Sequence, residues 1–219
     1  MICGTILSPS IPTIQLSDTI GEARQLMEDI GLENLPVLED NLYKGLLDLS
    51  DIDIVDDKLH ISGLTERLSQ TFVWENDFFL AALKKVQDRH FTCIPVINNT
   101  GEYLGAITLE NLIEAATRYL SAAEPGGIII LQMPAQQFSI SELGRIVESN
   151  NGKILHLTTW TDPAMGELMV AIKLNKIDIQ DILASFERYQ FTVYQYFGEN
   201  LSEDTLKNNF DNLMNYLRF

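Results

Sequence analysis

One short stretch occurs twice in this chain, and that duplication limits what the chain can fold into. Residues 34–51 contain Leu35-Pro36-Val37 followed by Gly45, and residues 93–111 contain Ile94-Pro95-Val96 followed by Gly105. The two prolines lie 59 residues apart and the two glycines 60 apart, because the second copy carries one extra residue in its turn. A self-match at a fixed offset marks two copies of one supersecondary unit, and such units bury their apolar faces on each other.

Each copy reads as strand, helix, strand, strand, helix. In the first, Thr13 to Leu16 alternates like a short strand, and Ser17 stands as the cap of a helix with Ile20, Ala23, Leu26, Met27 and Ile30 at helical spacing. Gly31 stops that helix, and Leu35 to Glu39 is an apolar strand entered through Pro36, which has no amide to donate. Asp40-Asn41 forms the turn, Tyr43 to Leu47 returns, and a second helix begins at Ser50-Asp51-Ile52. In the second copy Phe72-Val73-Trp74 takes the first strand's place and Asn76 the cap's, with Phe79, Ala82, Leu83 and Val86 on the apolar face. Asn99-Thr100-Gly101 closes the hairpin, and the helix from Asn111 carries Leu112, Ile113, Ala116 and Tyr119. A unit of about 45 residues is too small to cover its own sheet and helices, so the copies are expected to pair about a pseudo-twofold axis.

Glu124-Pro125-Gly126-Gly127 breaks the pattern and begins a new segment. There Ile128 to Met133 reads as a strand and Ser139-Ile140-Ser141-Glu142 as a capping box opening a helix. Ile154 to Thr161 and Leu168 to Leu174 follow as strands, Asp178 caps a helix, and Phe191 to Phe197 is the last strand. This βαββαβ order is the split-βαβ pattern of ferredoxin-like folds. The tail, from Ser202, places Leu206, Phe210, Leu213, Met214 and Leu217 on one helical stripe that is expected to dock on its own domain or on a second subunit.

With 15 basic against 31 acidic residues the net charge is −16, and such a surface repels a phosphate backbone, so nucleic acid is not an expected partner. No run of about 18 apolar residues is present to span a bilayer, and no basic-then-apolar segment opens the chain, which together favour a cytoplasmic protein without a membrane partner. Cys3 and Cys93 are the only cysteines, and neither sits in a CxxC or near a clustered set of histidines, so neither a disulfide framework nor a metal site is expected. The acidic run Asp48, Asp51, Asp53, Asp56 and Asp57 lacks the central Gly and terminal Glu of an EF-hand loop and reads as a solvated helix flank. The chain has no GxSxG, Walker or HExxH motif, and the reading is of a non-enzyme.

The doubled Leu/Ile-Pro-Val strand, the turn, the Gly-led return strand and the junction after it resemble the CBS motif, two of which pair into a Bateman module. The third segment, in its order and its place after that pair, resembles an ACT domain, and the layout is similar to CBS-ACT regulatory proteins of the acetoin-utilisation type. The fold class implied is α/β (α+β): a tandem CBS pair, 1–62 and 63–122, then a ferredoxin-like ACT-like domain at 126–198 and a C-terminal helix at 201–219. The resemblance implies a homodimeric sensor that binds an adenosyl ligand (AMP, ATP, NAD or S-adenosylmethionine) and acts on a regulated protein it does not name, with no other cofactor.

The family junction is Gly-x-x-Thr/Ser-x-x-Asp, whose hydroxyl holds phosphate and whose carboxylate accepts from the ribose. Copy two keeps Thr108 but has Asn111 at the ribose position; copy one has Asp51 there but Asp48 in place of the hydroxyl. Like charges about 4 Å apart cost on the order of 4 kcal/mol at an effective dielectric near 20, so Asp48 opposes a phosphate and copy two is favoured. The adenosyl set implied is Thr108, Asn111, Ile94, Pro95 and Phe72, with Asp51 and Asp48 from copy one. The same four junction residues also read as helix caps with no ligand. ACT domains that sense amino acids carry an acidic residue and a Gly after the first strand, where this chain has Met133-Pro134-Ala135-Gln136-Gln137-Phe138. Two alternatives therefore stand beside the sensor: a ligand-free assembly protein, and an amino-acid sensor through the ACT-like domain.

Overall fold

The computed structural model describes residues 1–198 and divides the chain into two compact units, residues 1–117 and the chain from Arg118 onward. The helix expected over 201–219 lies outside the described residues. Among the described residues no helix is long and apolar enough to cross a membrane.

The first unit holds both copies. Copy one comprises β1 (Ile14–Gln15), α1 (Ile20–Ile30), β2 (Asn34–Glu39), β3 (Leu42–Asp48) and α2 (Leu49–Ile52); copy two comprises β4 (Val73–Trp74), α3 (Leu80–Arg89), β5 (Cys93–Ile97), β6 (Tyr103–Thr108) and α4 (Leu109–Tyr119). Each forms a three-stranded sheet in which the first strand runs parallel, and the third antiparallel, to the central one. Each has its own apolar core, with Ile20, Ala23, Met27, Leu35 and Val37 buried in one and Val73, Phe79, Ala82, Ile94 and Val96 in the other.

Local chemistry explains the helix ends and corrects two expected caps. The cap of α1 is Thr19, not Ser17: the Thr19 amide and hydroxyl each donate to Glu22 Oε2 at 2.8 Å, and the Glu22 amide donates back to Thr19. That reciprocal pair needs a Glu three residues after the cap, which Thr19 has and Ser17 does not. In copy two α3 starts at Leu80 with Phe79 at its cap and no side-chain cap bond, so Asn76 does not cap it. The turn before each helix is instead held by an aspartate: Asp18 accepts from the Gln15 amide at 2.7 Å and Asp77 from the Trp74 amide at 3.0 Å. Asp40 and Asn41 take φ of 51° and 66°, the left-handed pair of a two-residue hairpin turn.

The copies are joined in three places. Asn34 and Cys93, at equivalent positions of β2 and β5, meet in the interior, where Asn34 Nδ2 donates to the Cys93 carbonyl at 2.8 Å. Asn34 Oδ1 accepts from the Thr92 amide at 2.6 Å and hydroxyl at 2.7 Å. At the hairpin tips the Tyr43 amide donates to the Gly101 carbonyl and the Tyr103 amide to the Asn41 carbonyl, each at 3.0 Å. The third join exchanges leaders: Ser8, ahead of copy one, bridges Ala106 of β6, and Ser69, ahead of copy two, bridges Leu46 of β3. The chain's first residues go with copy two, Cys3 lying in its core and its amide donating to the Asp77 carbonyl at 2.8 Å.

This exchange is why the glycine recurs. Gly45 and Gly105 hold φ of 155° and 151°, and a Cβ on them would come within 2.6 Å of Leu68 Cβ and 2.8 Å of Leu7 Cδ1. Only a residue without a side chain lets the other copy's leader pass so close.

The second unit comprises β7 (Ile128–Met133), α5 (Ile140–Ser149), β8 (Ile154–Thr161), β9 (Leu168–Leu174), α6 (Gln180–Arg188) and β10 (Thr192–Phe197). Its antiparallel sheet has the order β10-β7-β9-β8, the ferredoxin-like arrangement of a βαββαβ chain. Ile129, Leu131, Val170 and Ile172 of the sheet pack against Leu143, Ile146, Ile182 and Phe186 of the helices. Ser139 caps α5 through the Glu142 amide, whereas α6 is entered through Ile179 with no side-chain cap bond, so Asp178 does not cap it and instead accepts from the Gln180 amide in the turn before it.

Candidate functional site: two clefts between the copies

The leader exchange places two hollows in the first unit, each walled by both copies. One, of about 420 Å³, is lined by Ser10, Ile11 and Pro12 from the leader of copy one, Gly31 and Leu32 after α1, and Thr92, Thr108, Leu109 and Glu110 from copy two. The other, of about 380 Å³, is lined by Arg67, Ser69 and Gln70 from the leader of copy two, Phe91 after α3, and Asp48, Ser50 and Asp51 from copy one. The linings correspond residue for residue: Ser10 to Ser69, Ile11 to Gln70, Leu32 to Phe91, Thr108 to Asp48 and Glu110 to Ser50.

At the first cleft β6 delivers Thr108 to the start of α4. The Thr108 amide and hydroxyl donate to Asn111 Oδ1 at 3.1 and 3.0 Å, and the Asn111 amide donates to Thr108 Oγ1 at 3.3 Å. Thr108 and Asn111 thus cap the helix reciprocally, with the threonine side chain at the cleft wall. At the second, Asp48 caps α2, its Oδ1 accepting from the Ser50 amide at 2.9 Å and the Ser50 hydroxyl at 2.5 Å. Asp51 shares that wall, and Arg67 Nη1 donates to its backbone carbonyl at 3.3 Å.

The other residues implied by the resemblance lie elsewhere. Ile94 and Pro95 are buried in β5, Ile94 within the core of copy two, and they belong to neither lining. Phe72 is half-buried, edge-on to Tyr43 and Trp74 with ring centroids 5.9 and 5.0 Å away. Of the acidic run, Asp56 accepts from the Lys58 amide and Asp57 pairs with Arg24 at 2.8 Å. The residues that reading the sequence missed are the leaders, Ser10 to Pro12 and Arg67 to Gln70, with Glu110 and Phe91. Their only sequence signal is the repeated glycine, which records that something passes close.

Electrically the clefts are acidic. The first holds Glu110 and, among the described residues, no basic side chain; the second sets Asp48 and Asp51 against Arg67. In the interior of the first unit, burial pushes the Cys93 thiol up to about 12 and raises the Tyr43 and Tyr103 hydroxyls above their ordinary value, so these groups stay neutral.

The CBS-domain family model matches residues 3–55 and again 69–118. Among solved structures the chain is similar to a CBS domain pair/ACT domain protein from Thermotoga maritima, at 20% identity over 53% of this chain and 96% of that one, with a TM-score of 0.48. It is also similar to CBSX2 in complex with AMP, at 20% identity over 52% of this chain and 95% of that one, with a TM-score of 0.44. The cytosolic domain of the Mg2+ channel MgtE in complex with ATP shares 17% identity over 52% of this chain and 48% of that one, with a TM-score of 0.44.

Proposed function

Residues 3–55 and 69–118 are a tandem pair of CBS domains, and from that premise we propose that this protein is a non-catalytic regulatory module that binds an adenosyl ligand in the clefts between its copies. CBS pairs are regulatory modules that take such ligands. The observation that carries the reading here is that each cleft is walled by the leader of one copy and the helix start of the other. A ligand bridging the two walls favours the arrangement that joins them, and a ligand acts on a conformational equilibrium only through such a difference. The Thr108 cleft is the favoured site, with Ile11 and Leu32 offering apolar walls to a base.

The relay runs through a homodimer in this reading. Phe78, Leu80 and Leu83 stand exposed around the start of α3, an apolar cluster suited to burial against a second copy. Cytoplasmic location and an unnamed regulated protein complete the proposal.

Thermal unfolding of the intact protein against adenosine, AMP, ATP, NAD and S-adenosylmethionine tests it. A ligand at 100 times its dissociation constant adds about 2.7 kcal/mol to stability. The expected result is an upward shift with at least one of these compounds that is abolished by Leu109→Trp, which fills the same cleft from an exposed position. No shift with any of them refutes the reading, and a monomeric mass by light scattering refutes the relay.

A further inference from the structure

We infer that the Thr108 cleft selects adenosyl ligands without a phosphate, neutral or sulfonium nucleosides, and that Glu110 sets this preference; the inference rests on the reading of the cleft as an adenosyl site. The junction residues alone suggest the opposite, since Thr108 retains the hydroxyl suited to phosphate. Around it, however, the leader contributes Ser10, Ile11 and Pro12, and no lysine, arginine or histidine lines the cleft among the described residues. Among the described residues the one charge lining it is the carboxylate of Glu110.

Glu110 also removes the usual source of attraction. It lies in the first turn of α4, where its charge complements the positive end of the helix dipole. The Thr108 hydroxyl and the Asn111 amide are bonded to each other's residue, so a phosphate arriving there displaces existing bonds and meets a full negative charge. The equivalent position in the Asp48 cleft is the neutral Ser50, and that cleft contains Arg67, so the two clefts differ in the chemistry they offer a phosphate. A neutral nucleoside leaves the carboxylate in water, and a sulfonium gains from it. At an effective dielectric near 20 a unit charge several ångströms from Glu110 changes affinity by about tenfold or more.

Calorimetric titration of the intact protein with adenosine, S-adenosylmethionine and AMP is the test, repeated on Glu110→Gln and Glu110→Lys. Glu110 is exposed, so both variants are expected to fold, and thermal unfolding verifies this. In the unaltered protein adenosine or S-adenosylmethionine is expected to bind at least about tenfold more tightly than AMP. The ratio should narrow in Glu110→Gln and reverse in Glu110→Lys, with the AMP arm weakening as salt is raised. If AMP binds the unaltered protein as well as adenosine does, or Glu110→Lys leaves the ratio unmoved, the selectivity is overturned while the adenosyl site stands. If none of the three compounds binds, the selectivity falls, and the adenosyl site falls with it when ATP and NAD also fail to bind.

Discussion

Tyr43 and Tyr103 occupy equivalent positions in β3 and β6 yet end differently. The Tyr43 hydroxyl donates to the Thr71 carbonyl at 2.6 Å, tying down the leader of copy two. The Tyr103 hydroxyl is buried and has no hydrogen-bond partner among the described residues. Removing a satisfied buried hydroxyl loses roughly 0.5–1.5 kcal/mol, whereas removing an unsatisfied one recovers part of a desolvation penalty of about 1–3 kcal/mol. Tyr43→Phe is therefore expected to destabilise the first unit by about 1 kcal/mol, and Tyr103→Phe to leave it unchanged or stabilise it by about 1 kcal/mol. The ring packing is common to both substitutions, so the difference between variants isolates the hydroxyls. Differential scanning calorimetry, following the transition of the first unit, reads this as a gap of several degrees between the variants, since about 1 kcal/mol moves a domain of this size by about 4 °C. Equal losses in both variants would show that the Tyr103 hydroxyl is bonded, and the asymmetry of the two leaders would be withdrawn.

Three further outcomes follow from the same joins. Gly105→Ala forces a Cβ to within 2.8 Å of Leu7 and 3.0 Å of the Ser8 carbonyl at a φ of 151°, so a loss of about 1–3 kcal/mol is expected, against near-neutrality for Gly63→Ala, where the added atom meets nothing within 4 Å. Chemical denaturation of the two variants makes that comparison. Asn34→Leu strips the buried partners of Thr92 and Cys93 and is expected to cost about 2–4 kcal/mol in the same assay; a loss under 0.5 kcal/mol would exclude the lock between the copies. Burial raises the Cys3 and Cys93 thiols from 9.0 to about 11 and about 12. Above pH 9 the unfolded chain releases these protons while the folded one keeps them, so stability falls as pH rises, by on the order of 1 kcal/mol per pH unit per thiol up to those values. A melting temperature flat from pH 9 to 11 contradicts this.

The elements of the second unit are legible in the sequence because their causes are short-range. Apolar alternation and turn residues mark β8 from Ile154 to Thr161 and β9 from Leu168 to Leu174, and the observed strands have those ends. The repeat likewise shows two similar units with a Pro-Val strand and a Gly-led return strand. Caps are less secure, since Ser17 and Thr19 differ only in what stands three residues later.

The pair of copies, their strand and helix order, and the acidic balance all follow from local residue patterns. Which residues make a cleft depends on long-range packing, because the walls come from segments about 60 residues apart. Ile94 and Pro95 carry the clearest sequence signal and are consumed by the core, as apolar strand residues between two packed faces must be. Ser10, Arg67 and Glu110 carry almost none, and they reach the clefts because the two leaders cross onto opposite copies over Gly45 and Gly105, where the absence of a side chain leaves room for a second backbone.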